Sequence, residues 1–279
     1  MNYRIHGGRT LSGSIATNTS KNAAVALLCA SLLNRGQTTL RRMPKIEEVN
    51  RLIEVLKSLG VDVQWKKDGD LIIQPPKRLR FSAIDKIAAG RTRSIAMLAG
   101  PLSHWSDDFT LPVPGGCALG ARSLTAHIDA LASLGIEMEG TDAGWQVRSS
   151  KKKSAEFVMY EASDTGTENA LMAAALIPGV TTIRFASSNY MVQDLCVFLE
   201  SLGVRIEGVG THTLVVQGVD AIDMDAIGQP SEDPIEAMFL IALAATTGSR
   251  IIIKRAPIDF LALELLHLSK MGLRYKVSA

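Results

Sequence analysis

Four glycines constrain this chain more than any other feature. Gly60, Gly135, Gly203 and Gly272 are spaced 75, 68 and 69 residues apart. Each closes a segment of helical periodicity (46–59, 122–134, 192–202 and 261–271) that ends in Ser-Leu or Lys-Met. Each is followed by a short alternating stretch with strand character, at 61–65, 136–139, 204–207 and 273–277. Glycine is the expected residue just past a helix C-terminus, because it takes the left-handed conformation without a Cβ penalty. The chain therefore reads as four copies of one unit.

Each unit opens with a nearly all-apolar helix, at 22–33, 94–102, 169–177 and 235–245. A turn and a strand follow, as in Gly36-Gln37-Thr38-Thr39-Leu40 and Gly179-Val180-Thr181-Thr182-Ile183, and units one to three finish with a return strand at 71–74, 145–148 and 213–217. A helix apolar around its whole circumference must be buried on all sides. The second helix of unit one carries Glu47, Glu48, Arg51, Glu54 and Lys57 on one face and is expected to cover a surface. Three such units can bury their first helices against one another. The expectation is an α/β fold of helix-strand-helix-hairpin units with pseudo-threefold symmetry and buried central helices. Residues 20–228 would form the three-unit domain, and 1–19 with 229–279 a partial second one. The fourth unit stops after its first hairpin strand, so helix 235–245 is expected to be covered by further sequence, a complementing chain or self-association.

Unit two departs from the repeat. From the strand to the glycine the other units need 20, 20 and 21 residues, whereas unit two needs 24, the excess falling in 112–121. A repeating scaffold that lengthens one loop is placing something there. That loop reads Pro114-Gly115-Gly116-Cys117, a thiol ahead of a helix start and close to Arg122, where a thiolate is favoured. Cys29 and Cys196, on apolar helical faces, read as small buried hydrophobes. Lys21-Asn22 opens the first buried helix behind Thr19-Ser20, and Arg91 and Arg93 precede the first helix of unit two. Helix starts with a cation beside them suit anions.

Composition excludes other classes. With 30 basic and 28 acidic residues the net charge is +2, which is no general polyanion surface, so no nucleic acid is expected. Three cysteines without a C-x-x-C pair suggest neither a disulfide framework nor zinc. No run approaches the ~18 apolar residues of a membrane span, so no membrane partner and a cytoplasmic location are expected. No His, Cys or carboxylate cluster calls for a metal or an organic cofactor.

Lys21-Asn22-Ala23-Ala24, the stretch from Pro114 to Arg122, Thr167-Glu168-Asn169 with Met172-Ala173-Ala174, and the Leu-Gly endings together resemble the UDP-N-acetylglucosamine enolpyruvyl transferases over essentially the whole chain. The resemblance implies an inside-out α/β barrel. It also implies transfer of the enolpyruvyl group of phosphoenolpyruvate to the 3-hydroxyl of UDP-N-acetylglucosamine, the first committed step of peptidoglycan synthesis, through a tetrahedral ketal. Cys117 would be the acid that protonates the phosphoenolpyruvate methylene and the thiol that fosfomycin alkylates. Lys21, Asn22 and Arg122 would meet phosphoenolpyruvate, and Arg93, Arg122, Leu124 and Ser163 the nucleotide sugar. The shikimate enzyme of the same architecture lacks such a cysteine loop.

Departures from the family pattern lie at Thr125, at Ser163-Asp164-Thr165-Gly166, at Asn189-Tyr190-Met191 and at Asp233-Pro234-Ile235-Glu236. They put the acceptor in question more than the fold. The family's catalytic aspartate, in a Phe-Pro-Thr-Asp-like segment, has no counterpart here, so little activity is expected of this chain alone. Two other readings stay open: a non-catalytic nucleotide-sugar-binding relative, and an enolpyruvyl transferase with another acceptor such as shikimate 3-phosphate. The resemblance also sets the N-terminal strand, from Tyr3-Arg4-Ile5 or Gly13-Ser14-Ile15, with the fourth unit.

Overall fold

The computed structural model describes residues 4, 6–115, 123–149 and 151–278. The chain forms two compact units, one of Met1–Ser20 with Ser231–Ala279 and one of Lys21–Pro230. Strand β1 (Ser12–Ala16) belongs to the smaller unit. The first repeat is α1 (Lys21–Ala30), β2 (Thr38–Leu40), α2 (Glu47–Ser58), β3 (Asp62–Trp65) and β4 (Leu71–Gln74), followed by the short α3 (Lys86–Ala89). The second begins as a 3-10 turn, Arg93–Leu98, that runs into α4 (Ala99–Leu102). It continues with β5 (Asp108–Leu111), α5 (Thr125–Ser133), β6 (Glu137–Thr141) and β7 (Gly144–Arg148). Strand β8 (Glu156–Val158) leads to the third: α6 (Asp164–Ala175), β9 (Gly179–Arg184), α7 (Tyr190–Ser201), β10 (Arg205–Glu207) and β11 (Thr213–Gly218). After β12 (Ala226–Gly228) the smaller unit resumes with α8 (Pro234–Thr246), β13 (Arg250–Lys254), a 3-10 turn Ile258–Leu261 and α9 (Ala262–Lys270).

The four glycines do what their spacing predicts. Gly60, Gly135, Gly203 and Gly272 have φ of 98°, 78°, 92° and 92°. In each repeat the next residue's N–H returns to a carbonyl of the last helical turn: Val61 to Leu56 at 3.0 Å, Ile136 to Leu131 at 2.9 Å, Val204 to Leu199 at 3.1 Å and Leu273 to Leu268 at 2.9 Å. This is the Schellman closure, and it launches the chain toward the hairpin.

Each repeat leans on the next. The segment after the second hairpin, β8, pairs in parallel with β9 of the third repeat, and the segment after the third, β12, pairs in parallel with β2 of the first. The first-to-second link uses rings instead, with Phe81 and Phe109 centroids 5.0 Å apart. Helices follow the same cycle: α2 packs on the 3-10 turn Arg93–Leu98, α5 on α6, and α7 on α1. The three antiparallel hairpin sheets surround the first helices, whose side chains are buried continuously over 23–30 in α1 and 166–175 in α6. The second repeat's helix is largely 3-10 where an α-helix was expected, because Pro101 has no N–H to give and its ring crowds the carbonyl four residues back. Its Gly100 lies against α6, where a Cβ would fall 2.5 Å from the Asn169 carbonyl oxygen.

In the smaller unit β1 pairs in parallel with β13, from Ser12↔Arg250 to Ala16↔Lys254, so 13–15 forms the strand beside the fourth repeat. Tyr3 and Ile5 lie outside the described residues. Asp233 caps α8, accepting from the N–H groups of Ile235 and Glu236 at 2.8 and 3.3 Å. Glu236 in turn accepts from the Asn18 backbone and side-chain amide at 2.6 and 2.8 Å. Helix α8 is as apolar as α1, yet Ile235 and Phe239 are each 63% exposed. The strand expected at 273–277 does not form, since among the described residues no segment pairs with it. Replacing Gly100→Ala should overpack the α4–α6 contact and lower stability by about 1–3 kcal/mol, measured as a drop in the urea midpoint at unchanged slope.

Candidate functional site

The starts of the central helices meet at a cavity of about 570 Å3 within the larger unit. Lys21, Asn22 and Val25 come from α1. Arg91, Thr92, Arg93 and Ser94 come from the approach to the second repeat's helix, and Asp164, Thr165 and Glu168 from α6. The covering helices add Glu47 and Glu48 of α2, His127 of α5 and Met191 of α7. The first turns of α1 and α6 present backbone N–H groups that nothing within the helix can satisfy.

Glu48 binds two of these starts together. One carboxylate oxygen accepts from Lys21 Nζ at 2.7 Å, and the other from Thr92 Oγ1 at 2.9 Å and Ser94 Oγ at 2.5 Å. Burial alone would raise its carboxyl, but the hydrogen bonds from Lys21, Ser94 and Thr92 and the lysine's charge outweigh it and hold the group below the ordinary range. The expectation that Glu48 belongs to a solvated charged face is thus corrected. It sits in the first turn of α2, its side chain 24% exposed against 73% for Glu47, and lines the cavity. Arg93 donates from Nη2 to the Ser123 carbonyl at 3.0 Å.

His127 is neutral, and its tautomer follows from the network. Gly100 N–H donates to Asn169 Oδ1 at 2.7 Å, which fixes that atom as the acceptor. Asn169 Nδ2 therefore donates, to the Ala96 carbonyl and to His127 Nδ1, both at 3.0 Å. His127 Nε2 then carries the hydrogen and donates to Thr165 Oγ1 at 3.0 Å. Burial first, and the charge of Arg93 second, push its pKa down to about 4.

Glu168, in the second turn of α6, is 1% exposed, and its Oε1 has no hydrogen-bond partner. Burial, reinforced by Asp164 and Asp194, drives its pKa well above the carboxylate range. Asp164 accepts from Ser187 Oγ at 2.5 Å and Asn189 Nδ2 at 3.3 Å. Two of the segments singled out in the sequence, 163–166 and 189–191, are therefore in direct contact.

Of the expected site residues, Lys21, Asn22, Arg93 and Leu124 line the cavity. Ser163 does not; its hydroxyl caps α6, accepting from Gly166 N–H at 3.2 Å. Cys117 and Arg122 lie outside the described residues, although Gly115 and Leu124 on either side of that segment both face the cavity. Gly115 rests on the backbone of Gly90, where a Cβ would fall 1.5 Å from the carbonyl oxygen. Cys29 and Cys196 are buried; desolvation pushes the first thiol far up and the second up to about 12, so neither is a nucleophile. Sequence reasoning missed Glu48, His127 and Glu168 as cavity residues. Adjacent polar residues, Glu168-Asn169, inside an otherwise apolar helix were the available signal for the last.

Among the described residues no group of His, Cys, Asp or Glu is arranged to hold a metal ion, and no helix is long and apolar enough to cross a membrane.

Residues 5–279 match the EPSP synthase (3-phosphoshikimate 1-carboxyvinyltransferase) family. The chain is 37% identical to a UDP-N-acetylglucosamine 1-carboxyvinyltransferase of Bradyrhizobium diazoefficiens, over 99% of this chain and 63% of that protein. It is 33% identical to one of Deinococcus deserti, over 96% and 63%. The chain thus spans less than two thirds of the length of these relatives. Its fold is that of the enolpyruvyl transferase NikO of Streptomyces tendae, with a TM-score of 0.81 at 23% identity, covering 99% of this chain and 66% of that one. EPSP synthase of Acinetobacter baumannii gives a TM-score of 0.72 at 17% identity, over 95% and 60%.

A folded His127 that titrates near 4, against an ordinary 6.5, binds its proton later than the unfolded chain does. Stability is therefore lost as pH falls from 6.5 toward 4. His127→Gln should be less stable than the parent at neutral pH and lack one proton's share of that loss, so the gap between the two narrows on acidification. Urea titrations across this window check it.

Proposed function

Since the chain belongs to the EPSP synthase family, we propose that it carries the phosphoenolpyruvate-binding half of an enolpyruvyl transferase site, with UDP-N-acetylglucosamine as the acceptor. The observation that carries this reading is the convergence of Lys21, Arg91 and Arg93 with helix starts on one cavity. Such a site matches a substrate with a phosphate and a carboxylate. Lys21, with Asn22 beside it, and Arg122 hold phosphoenolpyruvate; Arg93, Arg122 and Leu124 serve the nucleotide sugar. The fixed cations stabilise charge that moves onto the departing phosphate. Cys117 gives its proton to the methylene carbon while the sugar 3-hydroxyl oxygen bonds to the adjacent carbon, the hydroxyl proton passing to a base outside this half of the site. Loss of phosphate from the tetrahedral ketal, with one methyl proton returning to the Cys117 thiolate, leaves the enol ether. Thr165, accepting from His127, keeps its own hydroxyl hydrogen free to donate. The activity named for the Bradyrhizobium diazoefficiens and Deinococcus deserti relatives supports the choice of acceptor, and with it a cytoplasmic step of peptidoglycan synthesis.

Binding tests the residues at hand. UDP-N-acetylglucosamine should bind the full chain, and fosfomycin in its presence should add once, at Cys117, with no adduct in Cys117→Ser. Lys21→Gln should weaken phosphoenolpyruvate binding about tenfold or more, as loss of a charge-assisted hydrogen bond implies. A preference for shikimate 3-phosphate over the nucleotide sugar would sink the acceptor assignment.

The exposed side chains of α8 support a partner reading as well: this face is covered by a second copy or a complementing chain. Sedimentation should show concentration-dependent association that Phe239→Glu abolishes. A monomer at all concentrations in both proteins counts against self-association.

A further inference from the structure

Among the described residues Glu168 is the only carboxylate with a buried oxygen that meets no hydrogen-bond partner. Its neighbours on α6 show how unusual this is. Thr167 Oγ1 accepts from Ser187 N–H at 3.1 Å, and Asn169 makes three hydrogen bonds to Gly100, Ala96 and His127. Polar groups buried this deeply are nearly always paired, and one left open at a cavity wall marks a place for a ligand atom. Glu168 is on that wall.

The character of the ligand atom follows from the surroundings. The charges that act on Glu168 are those of Asp164 and Asp194, both acids, while Lys21, at the start of α1, is engaged by Glu48. A phosphate or carboxylate would be repelled from this corner. A neutral hydroxyl would not. We propose that Glu168 is a specificity-determining residue for the acceptor, its open Oε1 taking a hydroxyl of the sugar. This rests on the nucleotide-sugar reading above. The cavity then has two chemistries suited to the two ends of one substrate: cations for its phosphates and an acid-lined corner for its sugar. Kept in its protonated form by burial and the two aspartates, the carboxyl offers one donor and one acceptor, which a hydroxyl answers with one of each.

The test uses the full chain and two probes, UDP and UDP-N-acetylglucosamine, titrated calorimetrically against the parent, Glu168→Gln and Glu168→Leu. Both variants should fold, because Oε1 has no hydrogen bond to lose and both replacements are close to glutamate in size, and thermal melts check this. Glu168→Leu should bind UDP-N-acetylglucosamine about tenfold more weakly while its affinity for UDP stays within about twofold. Glu168→Gln, which keeps a donor and an acceptor in place, should stay within about threefold of the parent for both. Equal affinity of Glu168→Leu and the parent for the nucleotide sugar would overturn the proposal and leave Glu168 a structural acid. Equal losses for UDP and the nucleotide sugar would also overturn it, moving the contact to the nucleotide. If the parent binds neither probe, the nucleotide-sugar reading itself fails and takes this assignment with it.

Discussion

Helices that are apolar on every side cannot stand at a surface, and the larger unit is built around that constraint. One such helix has too little to bury it; three, each from a different repeat, supply one another with walls. The helix from the second repeat comes close enough to α6 that Gly100 tolerates no side chain there. Hairpin sheets and amphipathic helices close the outside, and β8 and β12, exchanged into neighbouring sheets, tie the second repeat to the third and the third to the first. The fold is therefore cooperative around a ring, because no repeat has a complete core alone.

Packing helix against helix also brings their starts together, and the site follows from this. Charges that would repel are balanced locally: Lys21 by Glu48, and Glu48 by the hydroxyls of Thr92 and Ser94. The neutral state of His127 depends on Asn169, whose orientation is dictated by a backbone N–H of Gly100 in the neighbouring helix. A core contact between two repeats thus determines the proton position on a cavity side chain. Second-layer control of this kind is rigid, since moving it would leave buried polar groups unpaired.

The smaller unit gives the contrast. Helix α8 has the composition of α1 and a well-formed start, with Asp233 capping and Pro234 in the first turn. Its apolar surface nonetheless stays largely open, with only Pro234, Ala237 and Leu240 buried. Composition says that a helix requires covering; it does not supply the cover.

Much of the architecture was legible in the residues themselves. The four glycines marked four helix ends, because left-handed backbone at a Schellman closure is a local requirement met by one residue type. Apolar circumference marked the central helices for the same kind of reason, and the cysteines on apolar faces, Cys29 and Cys196, were correctly read as inert. Lys21, Asn22 and Arg93 stood out at helix starts and Leu124 through the family resemblance, and all four line the cavity. Other features depend on separations of dozens of residues. Glu48 looked like one more charge on a solvated face, but Thr92 and Ser94 of the next repeat reach it. His127 owes its tautomer to Gly100 and Asn169, and Glu168 its unsatisfied oxygen to a cavity that several elements enclose. Sequence by itself determined which segments fold, how they end and which faces need burial, since these are set by neighbours within a turn or two. Tertiary structure alone decided which helix starts share a cavity and which buried polar groups find partners, because hydrogen bonding and desolvation depend on what the rest of the chain brings alongside.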